Sequence, residues 1–213
     1  MEIPPSSGRS MSETESRILG GAGWPSLLDR ILGRLSHDLN GRTMALDAMF
    51  GFVEAGRDPP SGLRDEVERL WEISQLLSIL PAQAQMPPQA ALVREALQPA
   101  LRLYTHLLRS SESPVGADIS GDPPPIRVGE ARFTRAILLY LDALGAGPSQ
   151  PPVLHVRGDP DHVEIRAAVG PNASEGSSLT SLGELFAIDA GTLESGSGEL
   201  VVRFPSLSAR GSD

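Results

Sequence analysis

The feature that most constrains the fold is a stripe of apolar residues in the first third of the chain. Its members recur at spacings of three and four, and at 3.6 residues per turn they fall within an arc of about 100°. The spacing predicts one helix from about Pro25 to about Ala55, because Pro25 suits a first helical turn and Gly56 a C-terminal cap. The stripe consists of Leu28, Ile31, Leu32, Leu35, Leu39, Leu46, Met49, Phe50 and Val53.

A second amphipathic helix follows after Asp58-Pro59-Pro60, which ends the first helix and turns the chain. Ser61 can cap it. Its predicted inner face is Leu63, Val67, Leu70, Ser74 and Leu77. One hairpin cannot bury two such long stripes, whereas two copies can bury them in a four-helix bundle. Residues 24–80 are therefore predicted to form an antiparallel helical hairpin that makes the protein a homodimer.

The remainder of the chain has a mixed pattern. Residues 1–23 are interpreted as a flexible tail, residues 81–88 as a proline-rich linker, and residues 206–213 as a second tail. Residues 89–205 are predicted to form an α/β sandwich, with one sheet covered by helices on one face, so that the fold class is α+β. Helices are expected at 91–109, 130–144 and 182–188, and strands at 115–119, 126–128, 153–157, 163–167, 192–194 and 200–204.

Composition excludes several classes of function. The chain has no cysteine, which rules out disulfides and thiolate catalysis. All eighteen basic residues are arginine, so neither a P-loop lysine nor a Schiff base is possible. The net charge of −9 argues against nucleic acid as a partner, and no apolar run reaches transmembrane length. We therefore expect a cytoplasmic protein that binds neither nucleic acid nor membrane.

One histidine lies on the wet face of the first predicted helix. His37 is about 200° around the helix from Leu35, so its imidazole is accessible to another macromolecule. Asn40 points partly outward by its helical angle. The small or flexible residues that share the outer face with His37 are Gly33, Gly41, Met44 and Ala48. The other histidines, which show no metal-ligand spacing and predict no metal site, are His106, His155 and His162.

The segment Ser36-His37-Asp38-Leu39-Asn40 resembles the H-box of two-component sensor histidine kinases. In that family the histidine lies on the first helix of a dimeric helical hairpin, which matches residues 26–80. Residues 89–205 also resemble the kinase ATP-binding domain in order and spacing, and residues 190–205 are similar to its closing segment. The resemblance thus covers nearly everything after residue 23.

Residues of other types stand at the positions where this family binds nucleotide. Alignment of the helix at 132–144 puts Leu139 and Ala143 where the family has two asparagines that hold Mg²⁺ and phosphates. Ala168 stands where the family has the adenine-reading aspartate, and Asn172 replaces a glycine. Without these ligands Mg-ATP loses its coordination and its base contact. The pattern resembles histidine phosphotransferases of phosphorelays, which are similar to kinases without nucleotide binding.

The resemblance implies roles for individual residues. His37 would accept a phosphoryl group from a receiver-domain aspartate of a response regulator and pass it on, and Asp38 would be the carboxylate that holds the ring. The receiver would carry its own Mg²⁺ and dock on the surface that includes Gly33, Asn40, Gly41, Met44 and Ala48. No cofactor or metal is expected on this chain. Gly41 stands where the family usually has Thr or Asn, and Arg42 falls in the apolar stripe, where it would need a partner carboxylate or a snorkelling stem.

Two other functions fit the same residues. The chain would be a non-catalytic adaptor if it dimerises and binds a kinase or regulator without being phosphorylated. It would be a true kinase if divergent contacts hold the nucleotide.

Overall fold

The computed structural model describes residues 13–58, 61–80, 88–108, 114–145 and 151–208. The chain divides into two compact units, one of residues 28–80 and the other of the remaining residues. Helices are α1 Glu13–Gly21, α2 Trp24–Glu54, α3 Leu63–Ile79, α4 Val93–Leu108, α5 Glu130–Ala143 and α6 Ser177–Ala187. Strands are β1 Gln89–Ala91, β2 Gly116–Ser120, β3 Ile126–Val128, β4 Val153–Gly158, β5 His162–Ala168, β6 Thr192–Gly196 and β7 Glu199–Pro205.

Residues 28–80 form the predicted helical hairpin. Arg42 Nη1 of α2 lies 2.9 Å from Glu66 Oε1 of α3. The Met49 side chain, two turns further along α2, lies 3.7 Å from the position that a Cβ atom on Gly62 would occupy. From Arg42 to Met49 the contacts move toward the C-terminal end of α2, and from Glu66 to Gly62 they move toward the N-terminal end of α3. The two helices are therefore antiparallel. The prediction of an antiparallel hairpin is confirmed.

The predicted inner face of α3 differs in part from the face that is buried within a single chain. Val67, Ser74 and Leu77 are exposed in the single chain. The buried residues of α3 are Glu66, Ile73 and Leu76. The buried residues lie on an arc that is rotated from the predicted face, and Glu66 at one edge of this arc pairs with Arg42 of α2.

The second unit is built on a five-stranded sheet in the order β2-β4-β5-β7-β6. Only the β2–β4 pair is parallel among these strands. Burial alternates along β4, where Leu154 and Val156 are buried and Val153, His155 and Arg157 are exposed. The sheet therefore has one covered and one open face, and the predicted α+β sandwich is confirmed.

Helix α5 forms the centre of this core. The Tyr140 hydroxyl donates a hydrogen bond to the Leu200 carbonyl of β7 at 2.6 Å. The Phe133 and Phe204 rings pack with centroids 5.5 Å apart, and Phe186 of α6 lies 5.7 Å from Phe204. Because nearly every α5 side chain from 133 to 144 is buried, this helix has no face turned to solvent over that stretch.

The structure corrects the flexible tail predicted for residues 1–23 over the part that it describes. Residues 13–21 form α1, in which Ile18 and Leu19 are buried. A Cβ on Gly21 would lie 2.5 Å from the Ser181 hydroxyl oxygen, so α1 packs closely on α6. Only two of the nine residues of α1 are buried and apolar, so the sequence shows too little helical periodicity to predict this helix. Residues 1–12 lie outside the described residues.

Several boundaries also differ from the predictions. Residues 89–91, the last of which was assigned to a helix, form β1, which pairs with β3 in a separate two-stranded ladder. Helix α6 begins at Ser177, five residues before the predicted start. Ser206, assigned to a tail, is fully buried and bridges to Ile126. The linker core, 81–87, and residues 209–213 lie outside the described residues. Over the described chain, no helix combines the length and the hydropathy that crossing a bilayer needs.

Candidate functional site

His37 lies in the middle of α2 with its ring in solvent. Its side chain is 73% exposed, and Nδ1 lies 3.1 Å from Asp38 Oδ1. An ionised carboxylate can only accept a hydrogen bond, so this contact favours the tautomer that carries its proton on Nδ1. In the neutral ring Nε2 then carries the free lone pair, which is available to an electrophile on a docked macromolecule.

Asp38 is itself held by a neighbour that the sequence predictions did not single out. Arg34 Nε lies 3.2 Å from Asp38 Oδ2, one helical turn before it. The two side chains are only 19% and 18% exposed, in contrast to His37. One carboxylate oxygen therefore faces the imidazole and the other faces a guanidinium.

The surface around His37 has little relief. A Cβ atom added to Gly33 or Gly41 would meet nothing within 4 Å, so both positions border open space. Asn40 and Ala48 are exposed, and Met44 is the most prominent side chain of the group, at 74% exposure. The five predicted partner-binding residues therefore share exposure with His37, and docking remains a prediction.

Arg42 has a partner inside its own hairpin. Its Nη1 donates to both oxygens of Glu66, at 2.9 and 3.0 Å. Arg69 Nη1 donates to Glu66 Oε1 at 2.8 Å. Glu66 is 8% exposed, and a buried carboxylate needs opposite charges close by. The guanidinium groups of Arg42 and Arg69 supply them. The arginine in the apolar stripe is therefore accommodated by a partner carboxylate rather than by a snorkelling stem.

The positions aligned with the nucleotide-binding asparagines lie inside the protein. Leu139 is 3% exposed and Ala143 is 5% exposed. Neither side chain carries an oxygen or nitrogen, so neither can coordinate a metal or donate to a phosphate. This part of α5 is a packed core surface.

The loop after β5 closes directly onto the end of α5. The Gly170 amide donates to the Leu144 carbonyl at 2.6 Å, and the Ser174 amide donates to the Ala143 carbonyl at 2.9 Å. Gly145 has a φ of +64°, and a Cβ there would lie 2.1 Å from the Asn172 carbonyl carbon. The chain therefore needs glycine at this contact, where the loop backbone leaves no room for a side chain.

Helix α1 lies over the first turns of α5. Glu15, which is 3% exposed, places Oε1 3.5 Å from Arg132 Nε and 3.6 Å from Arg135 Nη1. Arg132 Nη1 donates to Asp189 Oδ1 at 2.7 Å. Arg132, Arg135 and Leu139 share one face of α5 by their spacing. The carboxylate of Glu15 thus lies on the same face of α5 as Leu139, which is one of the two positions aligned with phosphate-binding residues.

Burial changes the acid–base properties of this cluster. Desolvation raises the pKa of Asp189, although the nearby Arg132 opposes the shift. Desolvation also lowers the pKa of Arg135, with the charge of Glu15 acting in the opposite direction. The cluster is consistent with a structural ion-pair network, in which each charge has an opposite charge close by.

The other histidines are placed for local pairing. His162 Nδ1 lies 2.9 Å from Asp159 Oδ2, and His155 Nδ1 lies 3.6 Å from Asp118 Oδ2. His106, in α4, is part-buried. Among the residues that the structure describes, no three His, Cys, Asp or Glu side chains cluster closely enough to hold a metal ion.

Two features of this region were missed from the sequence. Arg34 stands four residues before Asp38, and a search for opposite charges at that helical spacing would have found the pair. The role of Glu15 depends on a contact across more than a hundred residues, for which the sequence alone offers no signal.

Solved structures of histidine kinases are among the structures similar to this chain. No protein-family model matches the sequence, and no curated protein matches it. The histidine kinase AdeS of Acinetobacter baumannii matches at 13% identity and a TM-score of 0.41, covering 80% of this chain and 96% of that chain. The cytoplasmic segment of histidine kinase QseC matches at 16% identity and a TM-score of 0.42, covering 67% of this chain and 93% of that chain. Histidine kinase ThkA in complex with response regulator protein TrrA matches at 10% identity and a TM-score of 0.43, covering 93% of this chain and 68% of that chain. TM-scores this low carry no argument about function.

Proposed function

We propose that this chain is a histidine phosphotransferase of a two-component phosphorelay, located in the cytoplasm and acting without ATP. The observation that carries the proposal is the imidazole of His37, which is 73% exposed on a rigid helix while Asp38 holds its Nδ1. A nucleophile of this kind needs an accessible lone pair and a fixed orientation, and both conditions are met at Nε2.

The reaction needs no cofactor on this chain, because the receiver would carry the Mg²⁺. Nε2 of His37 attacks the phosphorus of an aspartyl phosphate on a docked receiver domain, so that an N–P bond forms as the acyl P–O bond breaks. The receiver's aspartate leaves with the electron pair as a carboxylate. The ring, still protonated at Nδ1, gains positive charge, which the carboxylate of Asp38 stabilises. The same steps in reverse pass the phosphoryl group to a second receiver.

Homodimerisation belongs to the proposal. At about 100° per residue, the exposed apolar residues Leu32, Leu39 and Phe50 lie within one narrow arc of α2. Val67 and Trp71 are exposed on α3, at 50% and 64%. A second copy of the hairpin would cover these side chains in a four-helix bundle, which leaves His37 on the outside.

The residues at the positions aligned with the family's nucleotide-binding groups support a transferase over a kinase. Apolar, buried side chains stand at Leu139 and Ala143, and the loop at 170–174 is hydrogen-bonded to the end of α5. The same features suit the adaptor function, which is the alternative to be tested.

The experiment is to mix the protein with a panel of receiver domains that carry labelled aspartyl phosphate. Wild type is expected to acquire an acid-labile, base-stable label, and His37→Ala none. Helix content and oligomeric state of the variant should be unchanged, because the side chain lies in solvent. Labelling of His37→Ala at the wild-type rate would refute the proposal. Binding of a receiver by wild type without any label would establish the adaptor function instead.

A further inference from the structure

Arg34 lies in a chain of three polar side chains on one side of α2. Its Nε is 3.2 Å from Asp38 Oδ2, and Asp38 Oδ1 is 3.1 Å from His37 Nδ1. Arg34 and Asp38 are four residues apart, so about one turn of helix separates their positions in α2. The carboxylate consequently bridges a permanent positive charge and the imidazole.

Asp38 alone is poorly placed to orient His37. Side chains at consecutive positions of a helix diverge by about 100° and do not face one another. The contact at 3.1 Å therefore requires Asp38 to lean along the helix surface toward the ring. A carboxylate at the surface of a helix has several rotamers open to it, and a second contact is needed to select this one.

Arg34 supplies that second contact. We propose that Arg34 is a positioning residue, which fixes the rotamer of Asp38 and through it keeps the proton of His37 on Nδ1. Nε2 is then the nucleophilic atom in nearly every neutral ring, rather than in the fraction that an unassisted tautomer equilibrium would give. This inference rests on the proposed phosphotransfer at His37, and Arg34 itself touches neither the phosphoryl group nor the ring.

Burial distinguishes this pair from an ordinary surface ion pair of the same spacing. Arg64 and Glu68 on α3 have the same separation of four residues and the same N–O distance of 3.2 Å. Arg64 Nε donates a hydrogen bond across that distance, whereas Arg34 Nε and Asp38 Oδ2 form an ion pair without hydrogen-bond geometry. Their side chains are 89% and 64% exposed, whereas those of Arg34 and Asp38 are 19% and 18% exposed. Water and salt screen the first pair strongly and the second pair much less, so the second can hold a geometry.

The test uses the full chain and two independent measurements. The ¹⁵N shifts of the His37 ring report which nitrogen carries the proton, and labelling from a phosphorylated receiver reports the transfer rate. His37→Ala assigns the ring signals among the four histidines. Arg34→Ala is expected to shift the tautomer ratio toward protonated Nε2 and to slow transfer about tenfold, which is less than the roughly 100-fold or more expected for loss of Asp38.

Arg34→Lys restores the positive charge and is expected to recover most of the tautomer ratio and most of the rate. Arg34→Gln keeps length without charge and should behave like Arg34→Ala. The matched control is Arg64→Ala, which breaks the exposed pair of equal spacing and equal N–O distance and should change neither measurement. Circular dichroism of each variant checks that α2 remains helical.

The outcomes separate the two proposals. If wild type accepts no label from any receiver, the proposed function fails, whatever the ring signals show. If wild type accepts label and Arg34→Ala matches it in both tautomer ratio and rate, the positioning role is overturned and the phosphotransfer stands. A slower rate with an unchanged tautomer ratio also overturns it, because the effect would then not pass through the ring.

Discussion

The two units of this chain treat their apolar residues in opposite ways. Nine of the twelve large apolar side chains exposed in the described residues belong to residues 28–80, and three belong to the α/β unit. The hairpin is the smaller unit and still leaves more of its apolar surface in water. The α/β unit encloses a core in which Tyr140, Phe133, Phe186 and Phe204 are fully or almost fully buried. Apolar side chains left exposed in this number are typical of a surface that binds a partner, whereas a fully buried core is typical of a unit that folds without one.

The polar residues differ in the same direction. On the hairpin, the reactive group His37 faces solvent, and a carboxylate contacts it. In the α/β unit, the positions aligned with ligand-binding residues are apolar and packed, and Glu15 pairs with the arginines of α5. This difference supports the proposal that the chemistry of this chain lies on the hairpin. We propose that the α/β unit keeps the order of elements of an ATP-binding domain and does not bind ATP.

The largest expected effect sharpens the contrast in packing. Phe186→Ala removes a ring that packs against both Tyr140 and Phe204, and it should cost about 3–5 kcal/mol of unfolding free energy. Phe52→Ala on the hairpin removes a ring that is 47% exposed and should cost about 1 kcal/mol or less. Urea denaturation of both variants checks the ranking, and equal losses would contradict the difference between the units.

The next effect concerns the apolar face of the hairpin. Trp71→Glu places a charge where the second copy is expected to pack, so it should weaken the dimer by about tenfold or more. Met44→Glu is the matched control, because Met44 is 74% exposed on the opposite, His37 side of α2. Sedimentation or light scattering at tens of micromolar concentration, a range set by ordinary interface affinities, measures both. Wild type that is monomeric under these conditions would show that the face has another occupant.

A smaller effect is expected from the ion pairs of Glu66 between and within the helices of the hairpin. Glu66→Ala leaves Arg42 and Arg69 without their shared carboxylate. Their side chains are 38% and 53% exposed, so water moderates the loss to about 1–2 kcal/mol. Glu68→Ala, in an exposed pair, should cost less than about 0.5 kcal/mol. Thermal unfolding compares the two variants, and a neutral Glu66→Ala would mean that apolar contacts alone hold the hairpin.

The smallest effect lies on the open face of the sheet. Hydrogen bonds from Arg166 and Arg203 lower the pKa of Glu164 below its value of 4.5 in an unfolded chain. The folded pKa is the lower one, so this carboxylate stabilises the fold above pH 4.5 and the contribution is lost as the pH falls through the folded pKa. Glu164→Gln should therefore flatten the fall of the melting temperature in acid, and Glu175→Gln, an exposed glutamate, should leave it unchanged. An unaltered acid limb in Glu164→Gln would show that the network adds no pH dependence.

Much of the fold follows from periodicity. The stripe from Leu28 to Val53 predicted α2 to within a residue or two at each end, because spacings of three and four that persist over about thirty residues fit a helix and not a strand. Turn signals did the same for the β4–β5 and β6–β7 hairpins, where Gly158 and Ser195-Gly-Ser-Gly198 separate alternating strands. These elements are determined by local sequence.

The elements that were missed depend on distant contacts. Helix α1 is stabilised by α5 and α6, and its sequence resembles the polar segment before it. The buried face of α3 includes Glu66, whose pairing with Arg42 no hydrophobic pattern reveals. At the candidate site, the exposure of His37 could be predicted from its helical angle, whereas the contact with Asp38 runs against the usual divergence of neighbouring side chains. The contact from Arg34 accounts for that exception.

The central claim is that phosphoryl groups reach His37 from a receiver domain and not from ATP. The most direct measurement offers both sources to the same preparation: labelled Mg-ATP in one reaction and a receiver with labelled aspartyl phosphate in the other, each with wild type and His37→Ala. The account predicts acid-labile, base-stable label on wild type from the receiver only, and on His37→Ala from neither. Label acquired at His37 from Mg-ATP, without any receiver present, would contradict it.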